Sequence, residues 1–402
     1  MVRKRARYTI SFFVCLIFLS FISLVAGSDV GKKLVFVNPV TDMDTKIPSQ
    51  EAREQIGVGL PASPQTQKCF RAHQGLYNER ATCIAEQGDY IQIFYDISTG
   101  FNIVYGFDQD THEPLNTFWV KKEQVLFFDQ IQDKEVEKVI PDGEYAGKPT
   151  IVLRYPWNNF SVGTRFFYNS LHDKEDLYCI QYPDYKKKIV VTTYIPKKYA
   201  LKEISLMDES QARFRFVKLI NQLIDSVAEL TNDTQVIPYV WGGSSFIWSH
   251  QKDESDFYQQ DGVWRRWSEN NKQYTGYDCS EFVMRMAQIA GIYFPWKTSW
   301  AIREKKRVLT QEDILENGDI IWMPGHVMVV SDLENNELIE ARSYGSGFGC
   351  VHRIKVSEFF DGIDTYQDLV AAYHAHKKIK YKNKSGIVSG QEYEFQFLKL
   401  ID

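Results

Sequence analysis

The sequence predicts a multi-domain chain, with two small β-barrels followed by an α+β domain. Three observations carry this expectation. Aromatic residues are abundant, with Tyr 23, Phe 26 and Trp 9 in 402 residues, which favours strands over long helical bundles. Up to about residue 203, apolar residues recur in short runs separated by Gly- and Pro-containing stretches, the pattern of short strands joined by turns. From residue 206 a helical period takes over, and helix and strand patterns then alternate to the end.

Residues 1–27 stand apart. Arg3, Lys4, Arg5 and Arg7 precede an uncharged apolar run of 16 residues, Ile10 to Val25, and then the small residues Ala26 and Gly27. This is the three-part pattern of a secretory signal peptide. The run is short for a membrane span, which needs about 20 apolar residues; the alternative reading is a retained N-terminal anchor. Either sends the folded part across a membrane, as a secreted, periplasmic or cell-envelope protein that meets the membrane only transiently through this segment. The formal charge is −5, and it becomes −9 without those four bases. An acidic mature chain argues against nucleic acid as a partner. With 44% hydrophobic and 25% charged residues the remainder is an ordinary globular composition.

Residues 28–148 form the first expected barrel. Lys33 to Val37 and Tyr90 to Phe94 read as strands, followed by Phe118 to Val120 and Val125 to Phe128. Residues 149–205 form the second, with strands at Thr150 to Leu153, Arg165 to Tyr168, Tyr178 to Gln181 and Ile189 to Tyr194. The α+β domain spans residues 206–402. Its first helix places Phe216, Leu219, Ile220, Leu223, Ile224, Val227 and Leu230 on a 3.6-residue period.

Five cysteines follow the signal: Cys69, Cys83, Cys179, Cys279 and Cys350. An odd number in an exported chain leaves at least one thiol outside any intrachain pairing. Cys69 and Cys83 read either as a local staple, worth about 3 kcal/mol for a loop of that size, or as two buried apolar residues. Cys279 differs. It follows Asp278 and precedes an amphipathic run with Phe282, Val283, Met286, Ile289 and Ala290 on one face, closed by Gly291. A helix N-terminus favours thiolate over thiol, and the thiolate is the nucleophile. Downstream, the strand beginning at His326 and the strand containing Glu340 form a hairpin about residues 332–336, which brings His326 close to Glu340 or Ala341. Cys279, His326 and Glu340 then supply nucleophile, base and orienter.

Tyr239-Val-Trp-Gly-Gly243, Asp278-Cys-Ser280, Asn317-Gly-Asp319, His326-Val327 and Leu338-Ile-Glu-Ala341 occur in that order. In this, residues 206–402 resemble the NlpC family of cell-wall cysteine peptidases, whose catalytic domain is a reduced papain-like fold. The two preceding segments look like the bacterial SH3-like barrels that often accompany it. The resemblance implies hydrolysis of peptidoglycan stem peptides or muropeptides, commonly at the bond from γ-D-glutamate to meso-diaminopimelate or Lys. It implies no cofactor and no metal. Cys279 matches the nucleophile and His326 the base; Glu340 stands where many members carry His, Asn or Gln. Asp278, Ser280 and Ser299 match substrate-holding positions, and Trp241 matches an aromatic beside the site. Arg342 reads as a partner for a substrate carboxylate or as a surface strand residue. A wall amidase and a non-catalytic peptidoglycan-binding protein are the rival readings.

Two features depart from the family pattern. Glu281 replaces the usual Gly; an acid in the first helical turn suits the helix dipole, and by repulsion it is also expected to raise the pKa of a neighbouring thiol. Segment 244–277 is 34 residues long, with Trp248, Trp264, Arg265, Arg266 and Trp267; it reads as a groove-lining lid or an exposed decoration. The His374 and His376 pair lacks further ligand spacing for zinc, and the basic run 377–384 reads as solvated surface.

Overall fold

The computed structural model describes residues 28–47, 71–95, 103–108, 110–141, 149–203, 208–231, 236–247, 257–260, 263–266 and 275–401. The expected signal, Cys69, Trp248 and Trp267 lie outside these. Among the described residues no helix is long and apolar enough to cross a membrane.

The N-terminal region contains a seven-stranded sheet. Its strands are β1 Lys33–Phe36, β2 Val40–Asp44, β3 Arg71–Leu76, β4 Arg80–Gln87, β5 Tyr90–Phe94, β6 Thr117–Lys121 and β7 Val125–Phe127, in the order β3-β2-β6-β5-β4-β1-β7. A five-stranded sheet follows: β8 Thr150–Leu153, β9 Arg165–Tyr168, β10 Leu177–Asp184, β11 Ile189–Pro196 and β12 Ala200–Lys202, in the order β11-β10-β9-β8-β12. Alternation sets their pairing: in β5, Ile91 and Ile93 are fully buried while Gln92 between them is not.

Neither sheet closes into the barrel expected from sequence. The β3 edge is occupied instead. The Gln74 N–H donates to Ser244 Oγ (3.1 Å), whose hydroxyl donates back to the Gln74 carbonyl (2.8 Å). In the second sheet β10 and β11 pair over eight residues, while β8 and β9 have four residues and β12 has three. Edges so unequal cannot pair all round.

The C-terminal region pairs helices with a third sheet. The helices are α1 Glu209–Thr231, α2 Cys279–Ala290, α3 Ser299–Lys305 and α4 Tyr366–His374. The strands are β13 Ile320–Met323, β14 His326–Asp332, β15 Glu337–Arg342, β16 Cys350–Lys355 and β17 Gln396–Leu398, in the order β16-β15-β14-β13-β17. The sheet is buried on both faces. Val327, Val329, Ile339 and Ala341 join α1 and α2 in one core, and Met328, Val330 and Leu338 join Phe359, Leu369 and Phe397 in another. Buried Asp319 fastens the layers, accepting from Arg213 of α1 (2.7 Å) and Lys399 (2.9 Å).

The first core also includes Leu34, Phe36, Ile91 and Phe118 from the seven-stranded sheet. That sheet shares its hydrophobic interior with α1 and α2. Consequently α2, expected to be amphipathic, is buried along its whole length.

Candidate active site

Cys279 is the first residue of α2, and Asp278 is its N-cap. Asp278 Oδ1 accepts from the Glu281 N–H (2.8 Å) and from the Ser280 hydroxyl (3.0 Å), satisfying a helix donor that has no partner within the helix. Oδ2 accepts from the Gly242 N–H (3.1 Å). Gly242 has φ +64°, and a Cβ there would lie 2.4 Å from the Arg71 carbonyl oxygen, so this turn admits only glycine. Through it, the Tyr239-Val-Trp-Gly-Gly243 segment fixes the cap of α2. Gly291 closes α2 with φ 88°, as its sequence position predicts.

His326 opens β14. Its Nε2 lies 2.5 Å from Glu340 Oε2, and its ring shares the cavity wall with Cys279, whose charge acts on it. The hairpin register pairs Val329 with Ile339, so Glu340 lies one diagonal step from His326 on the neighbouring strand, within reach of two long side chains. Burial alone would depress the His326 pKa. The charge and hydrogen bond of Cys279, followed by those of Glu340, outweigh it and hold the imidazole at about 9.

Glu340 is fully buried and ringed by cations. His352 Nε2 lies 3.2 Å and the Arg342 guanidinium 3.5 Å from Oε1. Burial pushes its carboxyl up, but the hydrogen bond from His326, the close approach of His352 and the charges of His326 and Arg342 hold it well below the usual carboxylate range. Sequence reading missed His352 as a site residue. Its signal was present: it stands directly opposite Glu340 in the β15–β16 register.

A cavity of about 560 Å³ opens over Cys279 and His326. Tyr239 and Trp241 line it, as do Arg342, Ser343, Gly345 and Ser346 at the end of β15, and residues of the 381–393 segment. That segment includes part of the run read from sequence as solvated basic surface. Tyr381 and Asn383 face the cavity, and Tyr381 also lies beneath the Arg342 guanidinium at 5.0 Å. Arg342 is no surface residue; it is 6% exposed and packs over Phe348, Phe359 and Tyr381.

The expected substrate residues divide. Trp241 and Arg342 line the cavity with Cys279; Asp278, Ser280 and Ser299 do not. Asp278 and Ser280 are consumed by the N-cap, and Ser299 is the buried first residue of α3, capped by Thr298. Glu281 also departs from expectation. It turns away from the sulfur, with Oε1 2.8 Å from His73 Nδ1 and 3.4 Å from Lys297 Nζ. Burial lifts its carboxyl to about 8, against the pull of Lys297 and Arg285. Of segment 244–277, strands Phe257–Gln260 and Val263–Arg266 form a hairpin.

Arg285 completes this second, buried network. NH1 donates to Glu79 Oε1 (2.7 Å), Nε to the Ser244 carbonyl (3.1 Å) and NH2 to the Gln74 carbonyl (3.3 Å). His73, Gln74 and Glu79 belong to the N-terminal sheet or the turn beside it. Helix α2 is therefore held by side chains some 200 positions earlier in sequence.

Comparison with known proteins finds no matching family model and no matching curated protein. Solved structures do resemble the chain, and three of them carry NlpC names. An NlpC/P60 family protein from Bacillus cereus shares 14% identity, with 81% of this chain and 94% of that one covered at a TM-score of 0.48. NlpC2 of Trichomonas vaginalis shares 12% identity over 82% of this chain and 95% of its own, with a TM-score of 0.31. NlpC1 of the same organism shares 12% over 82% and 90%, with a TM-score of 0.30.

Proposed function

We propose that this chain is an exported cysteine peptidase that hydrolyses peptidoglycan stem peptides, at the bond from γ-D-glutamate to the diamino acid. One observation carries the reading. A cysteine at a helix N-terminus and a histidine oriented by a buried carboxylate open together into a cavity with a guanidinium in its wall.

The chemistry follows from the placement. The Cys279 thiolate adds to the amide carbonyl carbon. The backbone N–H of Cys279, which as the first helical N–H has no partner within the helix, donates to the oxygen that gains negative charge. His326 imidazolium gives its proton to the departing amine as the C–N bond breaks, leaving a thioester. Water then attacks the thioester with His326 as base, releasing the acid and restoring the thiolate–imidazolium pair. Glu340 keeps the ring oriented throughout. Arg342 suits the carboxylate of a γ-D-glutamyl or diamino acid residue. The basic and apolar first segment supports export.

Stem peptides incubated with the mature protein and read by mass spectrometry should show a new diamino-acid N-terminus, absent with C279A. Cleavage at the lactyl–L-alanine bond instead would make the enzyme an amidase. Intact peptides at every pH from 5 to 9 would leave only a binding role.

A further inference from the structure

A carboxylate in the orienting position differs from a neutral His, Asn or Gln in carrying a full charge. Buried beneath His326, that charge needs counter-cations, or it takes up a proton and loses its hold on the ring. Arg342 supplies one at 3.5 Å. The surroundings of His352 show a second. Its Nε2 faces Glu340 Oε1 at 3.2 Å, and its Nδ1 faces the Cys350 carbonyl oxygen at 3.3 Å. The Cys350 carbonyl is an acceptor only, so Nδ1 carries a proton; Nε2 makes no aligned hydrogen bond, and its closeness to a buried carboxylate makes the contact an ion pair with the protonated ring. The ring is also fixed in plane, stacked on Phe348 with centroids 4.0 Å apart and planes 1° from parallel.

Resting on the peptidase reading, we infer that His352 is a positioning residue for catalysis. It is an imidazolium that pins Glu340 Oε1, so that Oε2 stays on His326, and that takes a share of the carboxylate's charge. Glu340 then stands between two histidines, His326 at Oε2 and His352 at Oε1. The charged or titratable groups around His352 are Glu340 and Arg342 on β15, the Cys350 thiol on its own strand, and Tyr381 beyond Arg342. Burial works against the charged ring, but the neighbouring Cys350 and Glu340 lift it to about 9.

The deciding readout needs no substrate, so it separates this inference from the choice of bond cleaved. Alkylation of Cys279 by iodoacetamide is followed across pH 5–10 by peptide mass spectrometry, which resolves it from the other thiols. The alkaline limb reports His326. In H352L the whole Glu340 charge falls to His326 and Arg342, and the limb should move up by about half a pH unit or more. H352Q, which keeps a donor toward Glu340, should show the same shift and retain most of the peptide-cleaving kcat, where H352L loses at least about tenfold. In an E340Q background neither change should move the limb further. If H352L fails to fold, H352Q alone decides. An unmoved limb in H352Q, or an equal shift with and without the Glu340 carboxylate, overturns the inference.

Discussion

Replacing Arg285 by Ala tests whether the N-terminal sheet holds the Cys279 helix through charge. Arg285 is 1% and Glu79 3% exposed, and their 2.7 Å contact lies wholly inside the protein. Removing the guanidinium leaves Glu79 with only the Leu76 N–H and the Tyr95 hydroxyl. Stripping one partner from a buried pair costs about 3–5 kcal/mol. At the usual unfolding entropy per residue, a chain this long loses stability at roughly 0.8 kcal/mol per degree, so R285A should melt about 4–6 °C lower. The deficit should also depend on pH. Burial pushes the Glu79 carboxyl up, and Arg285 followed by His73 pulls it below its ordinary value. Without Arg285 the folded-state pKa rises, and a raised carboxyl loses stability as pH climbs through it. The gap to wild type should therefore be larger at pH 8 than at pH 5. Thermal unfolding by circular dichroism measures both, and E79Q/R285M should recover most of the loss. A fall of under about 1 °C, or one untouched by the second substitution, would refute the reasoning.

Three further outcomes are expected. Glu281, lifted by burial to about 8, contributes stability that is full below its unfolded value and lost as pH rises through 8; E281Q should narrow the difference in melting temperature between pH 6 and pH 9, and an unchanged difference counts against it. E340Q removes the charge that helps hold His326 at about 9, so the alkaline limb of Cys279 alkylation should fall by about 1–2 units, as expected from losing a charged hydrogen bond. G242A places a Cβ against the Arg71 carbonyl at φ +64°; it should cost more than about 2 kcal/mol and lower peptide cleavage by displacing the Asp278 cap, and wild-type melting would show that the turn can relax.

What sequence revealed was local. Cys279 at a helix start, Gly291 at its end and the His326–Glu340 hairpin all follow from patterns spanning fewer than 20 residues, where period and turn chemistry decide geometry. Asp278 and Ser280 were legible as polar neighbours of the cysteine, but not as a cap that turns them from the cavity. The long-range pairings left no such mark. His73, an ordinary strand histidine in sequence, becomes the partner of Glu281 only because β3 lies against α2. The same packing explains why the expected barrel stays open: the β3 edge was needed for Ser244. Arg342 looked like a surface cation because the three rings beneath it come from residues 348, 359 and 381.

The Arg285–Glu79 pairing also has a temporal meaning. A ribosome builds residues 71–95 long before residue 285, so the receptor for the guanidinium is synthesised before the guanidinium itself. The early sheet can be waiting as a template when the helix emerges, and the sulfur reaches its working position only after that docking. An incomplete or severed chain would have the Cys279 helix without the surface that seats it. The N-terminal half is in this sense an assembly jig for the C-terminal half, retained as a permanent part of the finished fold.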